Sequence, residues 1–330
     1  DKDDIYDPDY NDMLRVAFMF KFGRGKLADL VSLLSGRDFA TRDYKSEIAD
    51  ESFEKLNDGV LRFMNENNFK DFVLAIRSAG FTSSSLISSQ GALNFAYNLY
   101  LMLREDSNIS ATDVKRYVQR WYVMSILTGR YSGSSESVMD RDIRRITEMG
   151  FLQFYDEIVK ANLSESFWEA ALPQNLVTTS TRTGGWLVYV ASQIKEADNT
   201  LFTNGVKVSD VVASIGDIHH IFPKDFLRKE INAPQRLYNQ VANYAYLEKR
   251  INIKIGARRP GDYFSEALEC AKSGAPYFGN IYGEESLLDN LSQNCIPKDI
   301  FNMGAEDYER FLNERRILMA NKIKEYFSAL

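Results

Sequence analysis

The sequence predicts a mainly α-helical protein. A helical bundle is expected over residues 1–180, a small module with two short strands over 181–270, and a C-terminal helical region over 271–330 packing on that module. Three observations lead there. Between Pro8 and Pro173 lie 164 residues without a proline, the residue that breaks helix interiors. Within that stretch apolar residues recur at the i, i+3, i+4 spacing of an amphipathic helix. Beyond Pro173 the texture changes, and a doubled histidine appears inside a β-prone segment.

Taken in order, Leu27, Leu30, Val31 and Leu34 form a first stripe, and Leu56, Val60, Leu61 and Met64 a second. Phe69, Phe72, Val73 and Ile76 form a third, opened by the capping run Asn65-Glu66-Asn67-Asn68. Leu93, Tyr97, Tyr100 and Leu101 follow; then come Val114, Tyr117, Val118, Trp121 and Ile126, opened by Ser110-Ala111-Thr112-Asp113. Each stripe reads as core packing, because a helix needs an apolar face to dock. The Gly/Ser-rich run Leu127–Ser137 reads as a loop before a helix over 138–149. It lacks the Gly-Lys-Ser/Thr ending of a phosphate-cradling loop, so a connector is expected. Val177–Gly185 reads as extended or loop, and Trp186–Ile194 as a helix. Asn204-Gly205 marks a turn. Ile215–Ile221 and Asn243–Leu247 read as strands, and Glu248–Ile255 as a short helix stopped by Gly256 and Pro260. Phe311, Leu312, Ile317, Leu318, Ile323, Tyr326 and Phe327 mark a helical face in the tail.

With 45% apolar and 13% aromatic residues the chain can bury a large core. No apolar run approaches the ~18 residues that span a bilayer, the N-terminus is acidic, and no membrane association is expected. Cys270 and Cys295 stand apart with no Cys-x-x-Cys, so free thiols in a reducing cytoplasm are expected and a four-ligand zinc site is not. The net charge of −6 argues against a protein that coats nucleic acid indiscriminately. Charge is nonetheless clustered: Asp217–Arg259 holds nine Lys or Arg against four acids, a local +5 that leaves −11 for the rest. A phosphate-binding site would profit from such a patch.

The patch surrounds the chain's two histidines, adjacent in Gly216-Asp217-Ile218-His219-His220-Ile221-Phe222-Pro223. Histidine is the side chain whose unperturbed pKa lies nearest neutrality, hence a general base and a common metal ligand. Strand, loop, strand and short helix, with paired histidines at the end of the first strand, is the layout of a ββα-metal site. Neighbours on a regular strand point to opposite faces, so His219 and His220 can share one site only if the pleat breaks there. Asp217, two residues before His219, could orient it or simply face solvent.

These residues carry a resemblance. Asp217-Ile218-His219-His220-Ile221-Phe222-Pro223, then Asn243, then Asn252 followed by Pro260, resembles the HNH endonuclease motif. The runs Asn239-Gln240-Val241-Ala242-Asn243-Tyr244, Asn252-Ile253-Lys254-Ile255 and Pro260-Gly261-Asp262-Tyr263 look most like the HNH half of modification-dependent (type IV) restriction and phage-defence proteins, which join it to a ParB-like nucleotidase domain. Trp121–Ser137 is similar to the helical segment upstream in those proteins. The resemblance is strongest over 184–263. The ParB-like domain is not visible, which implies a C-terminal piece of a larger protein.

The resemblance implies a metal-dependent DNA endonuclease that leaves 5′-phosphate and 3′-hydroxyl ends. His220 would be the general base, His219 and Asn252 the metal ligands, and Asn243 the residue that holds the loop and keeps the base aimed. Lys254, Arg258 and Arg259 are candidates for phosphate contacts. Nitrogen and oxygen donors with open water positions suit Mg²⁺ first, with Mn²⁺, Zn²⁺ or Ni²⁺ also accommodated. DNA and the missing nucleotidase domain are the expected partners. Two alternatives stay open: a catalytically silent HNH fold kept for binding DNA or protein, and an RNA nuclease.

Overall fold

The structure, a computed structural model, describes residues 3–214 and 218–330. The chain is mainly helical, with one two-stranded sheet among the described residues. It divides into two compact units, Asp1–Ser164 and Glu165–Ala329.

Eight helices among the described residues build the first unit: α1 (Tyr10–Phe22), α2 (Leu27–Leu34), α3 (Ser46–Phe63), α4 (Glu66–Ser78), α5 (Gln90–Glu105), α6 (Ala111–Thr128), α7 (Ser135–Met149) and α8 (Phe151–Asn162). α1 packs on α3 and α5, and α5 on α6. Every residue of the Phe69 and Leu93 stripes is buried, and Phe72 stacks on Tyr97 with ring centroids 4.7 Å apart. Both expected caps form, since the side chains of Asn65 and Ser110 accept from Asn68 N (3.1 Å) and Asp113 N (3.2 Å). The α3 stripe is corrected: Leu61 and Met64 are exposed, and the buried face runs through Ser52, Leu56, Gly59 and Phe63. Gly59 explains the rotation, because a Cβ there would stand 2.9 Å from the Ala17 carbonyl oxygen; α1 crosses where the side chain is missing. Val31 of α2 is exposed as well.

The Gly/Ser run is a connector, as expected. α6 stops at Gly129, in the left-handed region at φ 61°, and α7 begins at Ser135. An ion pair anchors it: the buried Asp142 carboxylate accepts from Arg130 Nε (2.7 Å), Arg130 Nη2 (2.6 Å) and Tyr131 Oη (3.0 Å).

The second unit contains α9 (Leu172–Asn175), α10 (Gly184–Lys195), α11 (Val208–Ala213), β1 (Ile218–His220), α12 (Lys224–Ile231), α13 (Gln235–Tyr238), β2 (Tyr244–Tyr246), α14 (Lys249–Ile255), α15 (Pro260–Lys272), α16 (Glu284–Gln293) and α17 (Tyr308–Ala329). Residues 165–180, grouped with the bundle on sequence, belong here. α9 and the wide helical turn before it pack on α17, with Trp168 against Phe327 at 5.8 Å. α10 packs on α17 too. On α17, Ile317 and Leu318 are exposed, contrary to the expected face. Two arginines take the inward positions instead: Arg315 and Arg316 are buried between Leu312 and Met319.

Candidate histidine site

β1 and β2 run antiparallel, with Ile218 opposite Tyr246, His219 opposite Ala245 and His220 opposite Tyr244. The ladder continues past the strand end, as Ile221 N donates to Asn243 O at 2.8 Å. The pleat therefore does not break at the histidines, and alternation puts their rings on opposite faces of the ribbon. His219 is 8% exposed, whereas His220 is half-buried. The structure thus does not bring the expected base and metal ligand to one face. Asp217, considered as a partner for His219, lies outside the described residues.

His220 has a defined setting. Its Nε2 lies 2.8 Å from Asn239 Oδ1. An amide oxygen only accepts, so Nε2 carries the proton and donates, and in the neutral ring Nδ1 keeps the lone pair. Tyr244 meets the ring edge-on at 5.2 Å and Tyr238 at 6.1 Å. Burial pushes the imidazole pKa below its usual 6.5, the Asn239 hydrogen bond opposes that, and the Lys224 ammonium adds to it. The result is a neutral imidazole near pH 7 with one nitrogen fixed and the other able to take a proton.

Asn243 explains why the ribbon and the following loop hold this arrangement. It is fully buried; its Oδ1 accepts from Phe222 N (2.8 Å), and its Nδ2 donates to Phe222 O (3.0 Å) and Tyr238 O (3.1 Å). One amide thereby ties Phe222, two residues after β1, to the segment carrying Asn239. Three residues with no role assigned on sequence complete the frame. Asn239 is one; Tyr263 Oη donates to Ile221 O at 2.6 Å. The third is Arg315, 0% exposed, whose Nη1 donates to Ala242 O (2.8 Å) and Tyr244 O (2.7 Å) and whose Nη2 donates to Asn294 O (3.1 Å). Its guanidinium thus holds the carbonyls on either side of Asn243 in sequence. A charged residue on an otherwise apolar helix face was the signal available, but it resembles any solvent-facing arginine until the fold is known.

Asn252 lies half-buried on α14, which Gly256 ends at φ 57°. The three candidate phosphate contacts are engaged within the protein. Lys254 Nζ donates to Tyr277 O at 2.7 Å, and Arg258 pairs with Glu266 at 2.5 Å. Arg259 pairs with Asp262 at 3.3 Å and donates to Asn302 O at 2.9 Å. Among the described residues no three His, Cys, Asp or Glu gather to hold a metal. His219 and Asn252 offer an imidazole and an amide, and strand alternation turns His219 away from the face of His220; these two donors do not complete a metal cage around the base. Cys270 and Cys295 are free thiols, Cys295 buried.

Fold and site together define a mainly helical protein with a histidine held at the mouth of a short β-ribbon. No known family profile matches the chain, and no solved structure matches it. An uncharacterized protein of the archaeon Methanocaldococcus jannaschii is similar to it, 26% identical over 231 residues. That stretch covers 64% of this chain and 37% of the archaeal protein, so the chain spans little more than a third of its relative's length. No helix among the described residues is long and apolar enough to cross a membrane.

Proposed function

We propose that the second unit is a divalent-metal-dependent DNA endonuclease of the HNH, ββα-metal class, serving in restriction or phage defence. The observation that carries the reading is His220, neutral near pH 7, with Nε2 held by Asn239 and Nδ1 left to accept a proton. Two further features support it: two antiparallel strands followed by the helix bearing Asn252, and the Asn243 amide that ties the strand end to the loop. In the proposed step His220 Nδ1 takes a proton from water as the water oxygen bonds to phosphorus. The P–O3′ bond breaks with its electron pair going to O3′, which takes a proton from solvent water, leaving a 5′-phosphate and a 3′-hydroxyl. A divalent ion, Mg²⁺ first with Mn²⁺, Zn²⁺ or Ni²⁺ as substitutes, would neutralise phosphate charge, and His219 and Asn252 are the residues assigned to it. DNA and a ParB-like nucleotidase domain carried elsewhere are the proposed partners.

A second reading is favoured by one observation: His219 and His220 are consecutive on an unbroken antiparallel ribbon, where neighbouring side chains point to opposite faces. That geometry suits a catalytically silent module that binds nucleic acid or protein. Supercoiled-plasmid cleavage with Mg²⁺, Mn²⁺ or EDTA, comparing the unsubstituted chain with His220→Ala, separates the two. The nuclease reading expects metal-dependent nicking that His220→Ala abolishes. Folded, metal-supplied protein that never nicks DNA favours the silent module, and cleavage of a matched RNA alone moves the activity to RNA.

A further inference from the structure

Beside the histidine site the second unit has a cleft of about 610 Å³, lined by residues including Thr178, Thr179, Arg236, Leu237, Gln240 and Glu309. That volume lies within the range of sites that seat small ligands. One run of backbone links the cleft to the proposed base: Leu237 and Gln240 line the cleft, and between them in sequence Asn239 holds the His220 ring and Tyr238 faces its edge. Successive Cα atoms are about 3.8 Å apart, so a ligand against Gln240 sits one residue from the residue that orients His220.

The wall is braced. Thr178 O accepts from Val241 N at 2.9 Å, which fixes one rim to the other. Gln240 Nε2 donates to Arg236 O (2.7 Å), and its Oε1 accepts from Arg316 Nη2 (3.2 Å). Tyr308 Oη donates to Leu237 O at 3.0 Å. The charges are not committed. Many charged side chains of the second unit are ion-paired, Arg258, Arg259 and Arg310 among them. Arg236 and Glu309 line the same cleft, and among the described residues neither has an ion-pair partner. A guanidinium suits a phosphate, a carboxylate accepts from the amino groups of a base, and Leu237 and Pro234 supply an apolar surface for its ring.

We propose that this cleft is a nucleotide subsite, taking the nucleotide next to the phosphodiester that His220 faces. Arg236 holds its phosphate and Glu309 reads an exocyclic amino group on its base. The polymer to which that nucleotide belongs rests on the nuclease reading; the binding does not.

Equilibrium titration by ligand-observed NMR with dCMP and dTMP, competed with inorganic phosphate, tests it on the whole chain. Cytosine presents an amino donor that thymine lacks, so dCMP is expected to bind at least about fivefold tighter than dTMP. Arg236→Ala should weaken both at least about tenfold, the usual worth of one charge-assisted hydrogen bond. Glu309→Gln should close the gap between the two bases. Both residues are exposed, and circular dichroism should show both variants folded. Absence of dCMP binding, equal binding by both variants and the unsubstituted chain, or displacement by phosphate with no base preference would each overturn the assignment. Plasmid cleavage without dCMP binding sinks the subsite alone, and dCMP binding without cleavage sinks the nuclease reading alone.

Discussion

The two units reach compactness by different means. In the first, helices meet through apolar stripes spaced along each helix, and Tyr6, Phe69, Phe72 and Tyr97 pack ring against ring. Its most deeply buried ion pair, Arg130 with Asp142, joins residues 12 apart in sequence. In the second, irregular backbone is held by side chains that reach across long stretches of chain. Asn243 ties Phe222 and Tyr238; Asn290 holds Thr200, Phe202 and Thr203 from 87 to 90 residues away; Arg315 holds Ala242 and Tyr244 from 73 and 71 residues away. Packing by area tolerates adjustment, whereas a buried amide or guanidinium leaves unpaired backbone groups wherever it is lost. The first unit should therefore resist polar edits to its surface, and the second should be sensitive at a few named positions.

The largest effect tests a buried ion pair inside the first unit. Arg130→Met leaves the Asp142 carboxylate buried with Tyr131 as its remaining side-chain donor, and urea unfolding should show a loss of about 3–5 kcal/mol. A loss under 1 kcal/mol would mean that the pair is dispensable to the unit. Next comes Asn243→Ala, which strands Phe222 N and Phe222 O and takes one of two donors from Tyr238 O, and should cost roughly 3 kcal/mol. Hydrogen exchange should accelerate at Phe222 and Ile221 before the helices of the first unit respond; uniform acceleration would erase the contrast between the units.

A smaller and sharper effect lies at His220. Two histidines in the chain give two ring signals, so its titration is directly readable by NMR. Its midpoint should fall below 6.5, and Asn239→Ala, which removes the opposing hydrogen bond, should move it lower still. The unfolded chain then binds the proton more readily than the folded one. Stability contributed by this group rises with pH between the depressed folded value and 6.5, and is lost as pH falls through that window. An Asn239→Ala midpoint above the unsubstituted one would reject the Nε2 assignment. The smallest effect is Arg258→Ala, which removes an exposed pair with Glu266 and should cost less than about 1 kcal/mol. Retained plasmid nicking in that variant would also remove Arg258 from the candidate phosphate contacts.

The same contrast explains what was legible in the sequence. The stripes at Phe69, Leu93 and Val114 and the caps at Asn65 and Ser110 were readable because helix periodicity and capping are local. The misplaced face of α3 turned on Gly59, where the neighbouring helix, not the stripe itself, decides which side is covered. The mainly helical class, the short strands at the histidines and the helix ended by Gly256 also came through. Asn239 and Arg315 gave no usable signal, because an asparagine or an arginine looks the same in sequence whether it faces water or a buried carbonyl. The expectation that Lys254, Arg258 and Arg259 stand ready for phosphate counted charge but not the acids and carbonyls opposite them.

Arg315 has a consequence for the order of events during synthesis. Chains emerge from the ribosome N-terminal end first, and regions fold as their partners become available. The carbonyls of Ala242 and Tyr244 are made 73 and 71 residues before the guanidinium that braces them. Both histidines thus exist for an interval on a ribbon that lacks this brace, and the carbonyls of Ala242 and Tyr244 gain their guanidinium partner only when α17 arrives. A product truncated before α17 would carry the histidines without the frame that aims them.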